Sequence, residues 1–152
     1  MNLRAIVFIL IVVCFGYDFV AAGESSGFTL GIRDSIMVAH SFKGKEFGPA
    51  QAMHGATYTV DVDFAADELV KDVNWVIDIG EASDMVGEVL KQYNFKNLND
   101  VFPEENTTTE FMCKTIHNDL KSRILAKRCF KGRVTVKLFE SHKAWASFSS
   151  DV

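Results

Sequence analysis

Two histidines stand where this chain has the means for chemistry. In the stretch Met53-His54-Gly55-Ala56-Thr57-Tyr58 a run begins in which His54, Ala56, Tyr58, Val60, Val62 and Phe64 alternate with Thr57, Thr59, Asp61 and Asp63. Strand side chains repeat every second residue, so His54 shares a face with the apolar row. His40 ends a second alternating run through Phe28, Leu30, Ile32, Ile36 and Val38. If these strands pair across residues 41–53, two imidazoles converge, which is half of a zinc centre. A catalytic zinc takes three protein ligands, and His-x-His on one strand supplies two of them. Here the second position of that pair is Ala56. Taken alone, two imidazoles on apolar faces are more often satisfied core residues than ligands.

The carboxylates come next. Glu140 ends the apolar row Val134, Val136, Leu138, and a carboxylate carried into a core needs a partner. Glu110 follows Thr107 by three residues, the spacing of a capping box that requires no ligand. Asp78, after Trp75-Val76-Ile77, can simply end a strand. Glu46 lies in the long connection 41–53 and is a spare general base, while His142 and His117 are spare imidazoles.

These residues need a scaffold, and hydrophobic periodicity supplies one. Two strands come first. Ser83 then caps a helix with Met85, Val86, Val89, Leu90 and Tyr93 on one stripe. A second helix opens at Thr107 and carries Met112, Cys113, Ile116, Leu120 and Ile124 on one face. Two strands close the chain, one through Val134, Val136 and Leu138 and one around Trp145 and Phe148. The order ββααββ predicts an α+β fold, a four-stranded antiparallel sheet with both helices on one face. Such a sheet has two free edges, so edge-to-edge self-assembly is expected.

Composition narrows the partners. The 152 residues carry a formal net charge of −4 and no extended Lys/Arg cluster, which excludes the electrostatic footprint of nucleic-acid binding. Arg4, the apolar run 5–17 and the Val20-x-Ala22 end predict a signal peptide over residues 1–22. That leaves a single domain over 23–152, secreted or lumenal, with no membrane association once the leader is cleaved. Cys113 and Cys129 could bridge, but Cys113 falls on the apolar side of a helix, where a buried free thiol is the better expectation. Asn106-Thr107-Thr108 is a glycosylation sequon beside the start of the second helix.

Taken together, the motifs resemble the 6-pyruvoyl-tetrahydropterin synthase family, including the related 6-carboxytetrahydropterin synthases, from Phe28 to Phe148. The matching pieces are Ala39-His40-Ser41-Phe42, His54-Gly55-Ala56-Thr57-Tyr58 and Val76-Ile77-Asp78-Ile79. Further matches are Lys96-Asn97-Leu98-Asn99-Asp100, Asn106-Thr107-Thr108-Thr109-Glu110, and Glu140 followed by Ala144-Trp145-Ala146. The resemblance implies a T-fold in which trimers close a barrel of strands and two trimers stack into a hexamer. It implies a pterin ligand gripped by Glu110 and Glu140, with Thr108 and Thr109 beside them, since a carboxylate can accept two parallel N–H bonds from a planar heterocycle. It also implies zinc held by His40, His54 and a third histidine, whose place is Ala56. The family's cysteine nucleophile would precede His54, where the chain reads Gly48-Pro49-Ala50-Gln51-Ala52-Met53, and its Asp-His pair is replaced by Asn94-Phe95. The expectation is therefore a protein that keeps a pocket for a pterin or similar heterocycle but lacks the family's zinc-dependent lyase chemistry. A rewired active lyase using Glu46, and a structural oligomer without ligand, are the alternatives.

Overall fold

The alternation that runs through 28–40 and 54–66 is realised as two long strands, β1 (Phe28–His40) and β2 (His54–Ala66), paired antiparallel from Phe28 opposite Ala66 to His40 opposite His54. The computed structural model describes residues 27–152, so the expected leader over residues 1–22 lies outside the described residues. After β2 come α1 (Ile79–Leu90), β3 (Lys96–Asn97), α2 (Leu98–Val101), α3 (Thr109–Lys127), β4 (Arg133–Phe139) and β5 (Trp145–Asp151). The sheet runs β3-β1-β2-β4-β5.

The α+β class and the placement of both long helices on one face agree with the sequence reading. The sheet, however, has a fifth strand. β3 is only two residues long and joins β1 in parallel, Val38 facing Lys96 and Ala39 facing Asn97. A strand that short has no periodicity to read. On the covered face, Tyr58, Val60, Val62 and Phe64 of β2 and Val134, Val136 and Leu138 of β4 are buried with Met112, Ile116, Leu120 and Ile124 of α3 and Met85, Val86, Val89 and Leu90 of α1. Each such side chain contributes about 1.5–3 kcal/mol by leaving water. The opposite face is polar, and there Arg33 donates two hydrogen bonds to the Asp61 carboxylate, at 2.6 and 2.7 Å.

Both long helices begin elsewhere than the sequence reading places them. Asp78 does not end a strand and Ser83 does not cap α1. Asp78 is the N-cap, accepting from the Glu81 N–H at 2.9 Å, and Ser83 sits a turn further in, donating to the Ile79 carbonyl. The apolar stripe misled because the first helical residue, Ile79, is 62% exposed, so the stripe starts after the helix does. At α3 the cap is Thr108, whose Oγ1 accepts from the Phe111 N–H at 3.3 Å. The expected box of Thr107 with Glu110 is therefore not formed, and Thr107 is released for another task. Among the described residues Cys113 and Cys129 form no disulfide, and Cys113 donates to the Ala146 carbonyl at 3.2 Å. Burial pushes its thiol up to about 11, which makes it a packing residue and no nucleophile at neutral pH.

Candidate functional site

His40 and His54 end their strands directly opposite one another, and their ring centroids are 4.5 Å apart. His40 is fully buried, and its Nδ1 lies 3.2 Å from the Thr107 carbonyl and 3.3 Å from the Thr107 hydroxyl. A carbonyl only accepts, so Nδ1 carries the proton. That leaves a lone pair on Nε2, which has no hydrogen-bond partner among the described residues. The same logic holds for His54, whose Nδ1 lies 2.9 Å from the Ala52 carbonyl. Burial first, and the neighbouring imidazole second, hold the His40 pKa below its ordinary value, so the ring is neutral at neutral pH.

The segment leaving β1 is fixed by two asparagines acting as surrogate strand partners. Asn99 accepts from the Ser41 N–H at 2.7 Å and donates to the Ser41 carbonyl at 2.8 Å. Two residues on, Asn106 accepts from the Lys43 N–H at 2.6 Å and donates to the Lys43 carbonyl at 2.9 Å. Between them Phe42 projects over the imidazoles, 4.7 Å from the His40 ring and 5.7 Å from the His54 ring, backed by Phe47 at 4.9 Å. The sequon asparagine is thus occupied at both ends of its amide.

The third functional group arrives from β4. Tyr58 is buried beside Val60, and Thr59 and Val60 face Phe139 and Leu138 across the ladder, so Glu140 continues the inward row of β4 toward Tyr58 and Ala56. Thr109, the first residue of α3, donates from Oγ1 to Glu140 Oε2 at 2.6 Å. His40, His54 and Glu140 each offer a ligand atom, and these atoms lie within 4.8 Å of one another. The Tyr58 hydroxyl is buried without a hydrogen-bond partner, and burial followed by the Glu140 charge raises its pKa.

Of the remaining expected residues, some border this cluster and others lie away from it. Thr108 caps α3, and Glu110 is exposed at the same helix start. Glu46 is exposed, with its carboxylate folded over Gly44 so closely that a Cβ there would lie 2.5 Å from Oε1. His142 lines a groove of about 330 Å³ on the polar face with Arg33, Thr57, Thr59, Phe139 and Ser141. His117 is buried between α3 and β5, 3.2 Å from the Ser150 hydroxyl and edge-on to Phe148. Asn94 uses its side-chain oxygen to accept the Met37 N–H at 3.0 Å, and Phe95 is 73% exposed. Sequence reasoning missed Thr107, Asn99 and Phe42 as parts of the site. The signal available was the density of amides and hydroxyls in 97–109, which exceeds what two helix caps need.

A helix-backed, mainly antiparallel sheet carrying imidazoles and a carboxylate where β1, β2 and β4 converge is the architecture of a T-fold. The chain belongs to the 6-pyruvoyl tetrahydropterin synthase family, whose model matches residues 29–151. Among solved structures, the chain is similar to the 6-pyruvoyl tetrahydropterin synthase of Caenorhabditis elegans, at 21% identity and a TM-score of 0.71, covering 82% of this chain and 96% of that one. The Plasmodium vivax synthase matches at 18% identity and a TM-score of 0.67, covering 83% of this chain and 99% of that one. A mutant of that synthase in which a catalytic residue, a glutamate, is replaced by alanine matches at 15% identity and a TM-score of 0.61, with the same coverage. Among curated protein sequences, none matches this chain significantly.

Proposed function

We propose that this protein binds a pterin or similar planar heterocycle, and a divalent metal, without carrying out the lyase chemistry of its family. The observation that carries the reading is the fate of the proton-transfer positions. Asn94 has its side-chain oxygen committed to the Met37 backbone, Phe95 has no titratable group, and the segment preceding His54 contains no cysteine. A general base must change protonation state near working pH, and none of these can.

Recognition rests on the carboxylates of Glu110 and Glu140, which accept N–H bonds from a heterocycle, with Thr109 orienting Glu140 and Thr108 holding the helix start. The fit of a metal is supported by the buried, unpartnered Nε2 of His40 and by the matching tautomer of His54. A zinc ion at such a site supplies Lewis acidity toward an oxygen of the ligand. Self-association is supported by the sheet's open sides, since among the described residues β5 and most of β1 have no outer neighbour. A trimer or hexamer is the assembly expected from the family, and the leader expected over 1–22 would direct it to a secreted or lumenal location.

A second reading is favoured by the mutant of the Plasmodium vivax synthase, where the catalytic residue replaced is a glutamate. Glu46 could then serve as a base in a rewired lyase. One experiment separates the two. Purified protein loaded with zinc is offered dihydroneopterin triphosphate, and a panel of pterins is screened by thermal shift and calorimetry. Binding without turnover supports the proposal. A ligand at about 100 times its Kd stabilises by about 2.7 kcal/mol, an easily read rise in Tm. Turnover that disappears in Glu46→Gln supports the rewired lyase and overturns the proposal, and no binding of any pterin overturns both.

A further inference from the structure

We infer that Glu140 is the third metal ligand of this chain, standing in for the imidazole that position 56 lacks. The inference deepens the metal-binding reading above and rests on it. Its basis is a convergence of two strand ends and a neighbouring strand that the register makes unavoidable.

His40 faces His54, and Val38 faces Ala56, so at position 56 β2 offers the space beside the imidazole pair only a methyl group. Glu140, the residue after β4, continues the row of Val134, Val136 and Leu138 and faces that space from the next strand. A histidine at 56 would fill it, whereas alanine leaves it to the carboxylate. The ligand atoms of His40, His54 and Glu140 lie within 4.8 Å of one another, and tetrahedral zinc with bonds of about 2.0–2.1 Å holds its donors about 3.3–3.5 Å apart. Glu140 is exposed, so its side chain has the freedom to close the difference.

A second observation points to the same occupant. His40 Nε2 is buried with no hydrogen-bond partner, and a buried acceptor left empty costs free energy that a cation would recover. The surroundings also have the form expected around a metal. Each histidine donates its other ring N–H to a backbone carbonyl, and the carboxylate accepts from Thr109 at Oε2, leaving Oε1 for the ion. Two imidazoles and one carboxylate suit zinc and also ferrous iron with open positions. Glu140 so engaged has one oxygen on the ion and the other on Thr109, and Glu110 becomes the principal anchor for a heterocycle.

The test is metal affinity, read without any activity. The full chain is stripped with chelator and titrated with zinc against a chromophoric competitor, and cobalt(II) is added as a spectroscopic probe of the ligand set. Wild type is expected to take one zinc per chain. Glu140→Ala is expected to weaken zinc by more than about 100-fold, beyond the ~10–100-fold typical of an outer-shell partner, and to change the cobalt spectrum. Glu104→Gln serves as the surface control, and unchanged circular dichroism confirms that the variants fold. Restoring the imidazole, Ala56→His in the Glu140→Ala background, is expected to recover affinity. A loss smaller than about 100-fold in Glu140→Ala, with wild type binding one zinc, overturns the ligand role and leaves the metal reading intact. Wild type that binds no zinc overturns both.

Discussion

Asn99 holds the exit of β1 by two hydrogen bonds to the Ser41 backbone, at 2.7 and 2.8 Å, beside a longer one from the Ser41 hydroxyl at 3.4 Å, and replacing it by alanine removes both backbone bonds. Each bond is worth about 0.5–1.5 kcal/mol net, so the loss is between ~1 and ~3 kcal/mol. Ser41 is only half-buried, and water can reach its freed N–H and carbonyl, which places the expected cost near 2 kcal/mol. At about 3–5 °C per kcal/mol for a domain of this size, Tm falls by about 6–10 °C. Asn99→Asp keeps the acceptor and loses the donor, so about half the cost is expected. Asn106→Ala breaks the equivalent pair to Lys43 in a more exposed place, and about 1 kcal/mol is expected. Because the two clamps hold one segment, the double variant should lose less than the sum. Urea unfolding supplies the free energies, and amide exchange at Ser41 and Lys43 reports the segment directly. If Asn99→Ala costs less than about 0.5 kcal/mol and the Ser41 amide stays protected, Phe42 packing holds the segment and the clamp argument fails.

Two further perturbations follow from the geometry. Burial holds the His117 pKa below its ordinary value, with Lys121 nearby adding to the depression and Ser150 and Asn118 opposing it. The unfolded chain therefore binds this proton first, and the stability His117 contributes is present above about pH 6.5 and lost as pH falls toward the folded pKa. In urea titrations His117→Gln should flatten the decline between pH 7 and pH 5, and an unchanged slope would refute the assignment. Glycine substitutions should split in sign. A Cβ at Gly87 in α1 meets nothing within 4 Å, so Gly87→Ala should stabilise by about 0.5–1 kcal/mol. A Cβ at Gly132 would lie 2.3 Å from the Ala65 carbonyl oxygen, and Gly132→Ala should lower the urea midpoint by an amount matching about 1–3 kcal/mol.

The long elements were legible because their burial is periodic. Alternation in β1 and β2 predicts the row that ends in His40 and His54, and the stripe from Met112 to Ile124 predicts the covered face of α3. Helix starts were not, since a cap depends on one side chain among neighbours of the same type. Three consecutive threonines offered three starts for α3, and only tertiary contact shows that Thr107 turns to His40 while Thr108 caps. The site was half legible. Residue types and family motifs singled out His40, His54 and Glu140, but no local pattern shows that Glu140 lies beside residues 86 and 100 positions earlier. Strand register alone brings those three together. Asn99 and Asn106 stood in family motifs, but their clamp on residues 41–43 was not legible for the same reason, since those partners lie more than 50 residues away.

The aromatic cover over the imidazoles also sets a direction and a pace. Phe42 and Phe47 close one side of the pair, His40 has no exposed surface, His54 is half-buried, and Glu140 is the most exposed of the three donors. An arriving ion then meets the carboxylate and the half-buried His54 first and His40 last, so Glu140 serves as point of first contact as well as donor. Capture is quick where an exposed anion makes first contact and the imidazoles are already aligned. Release asks more, because the departing ion must give up two aligned nitrogens, and that of His40 has no surface open to water. The two asparagines that hold the Phe42 segment therefore bear on how long an ion stays as well as on how strongly it is held.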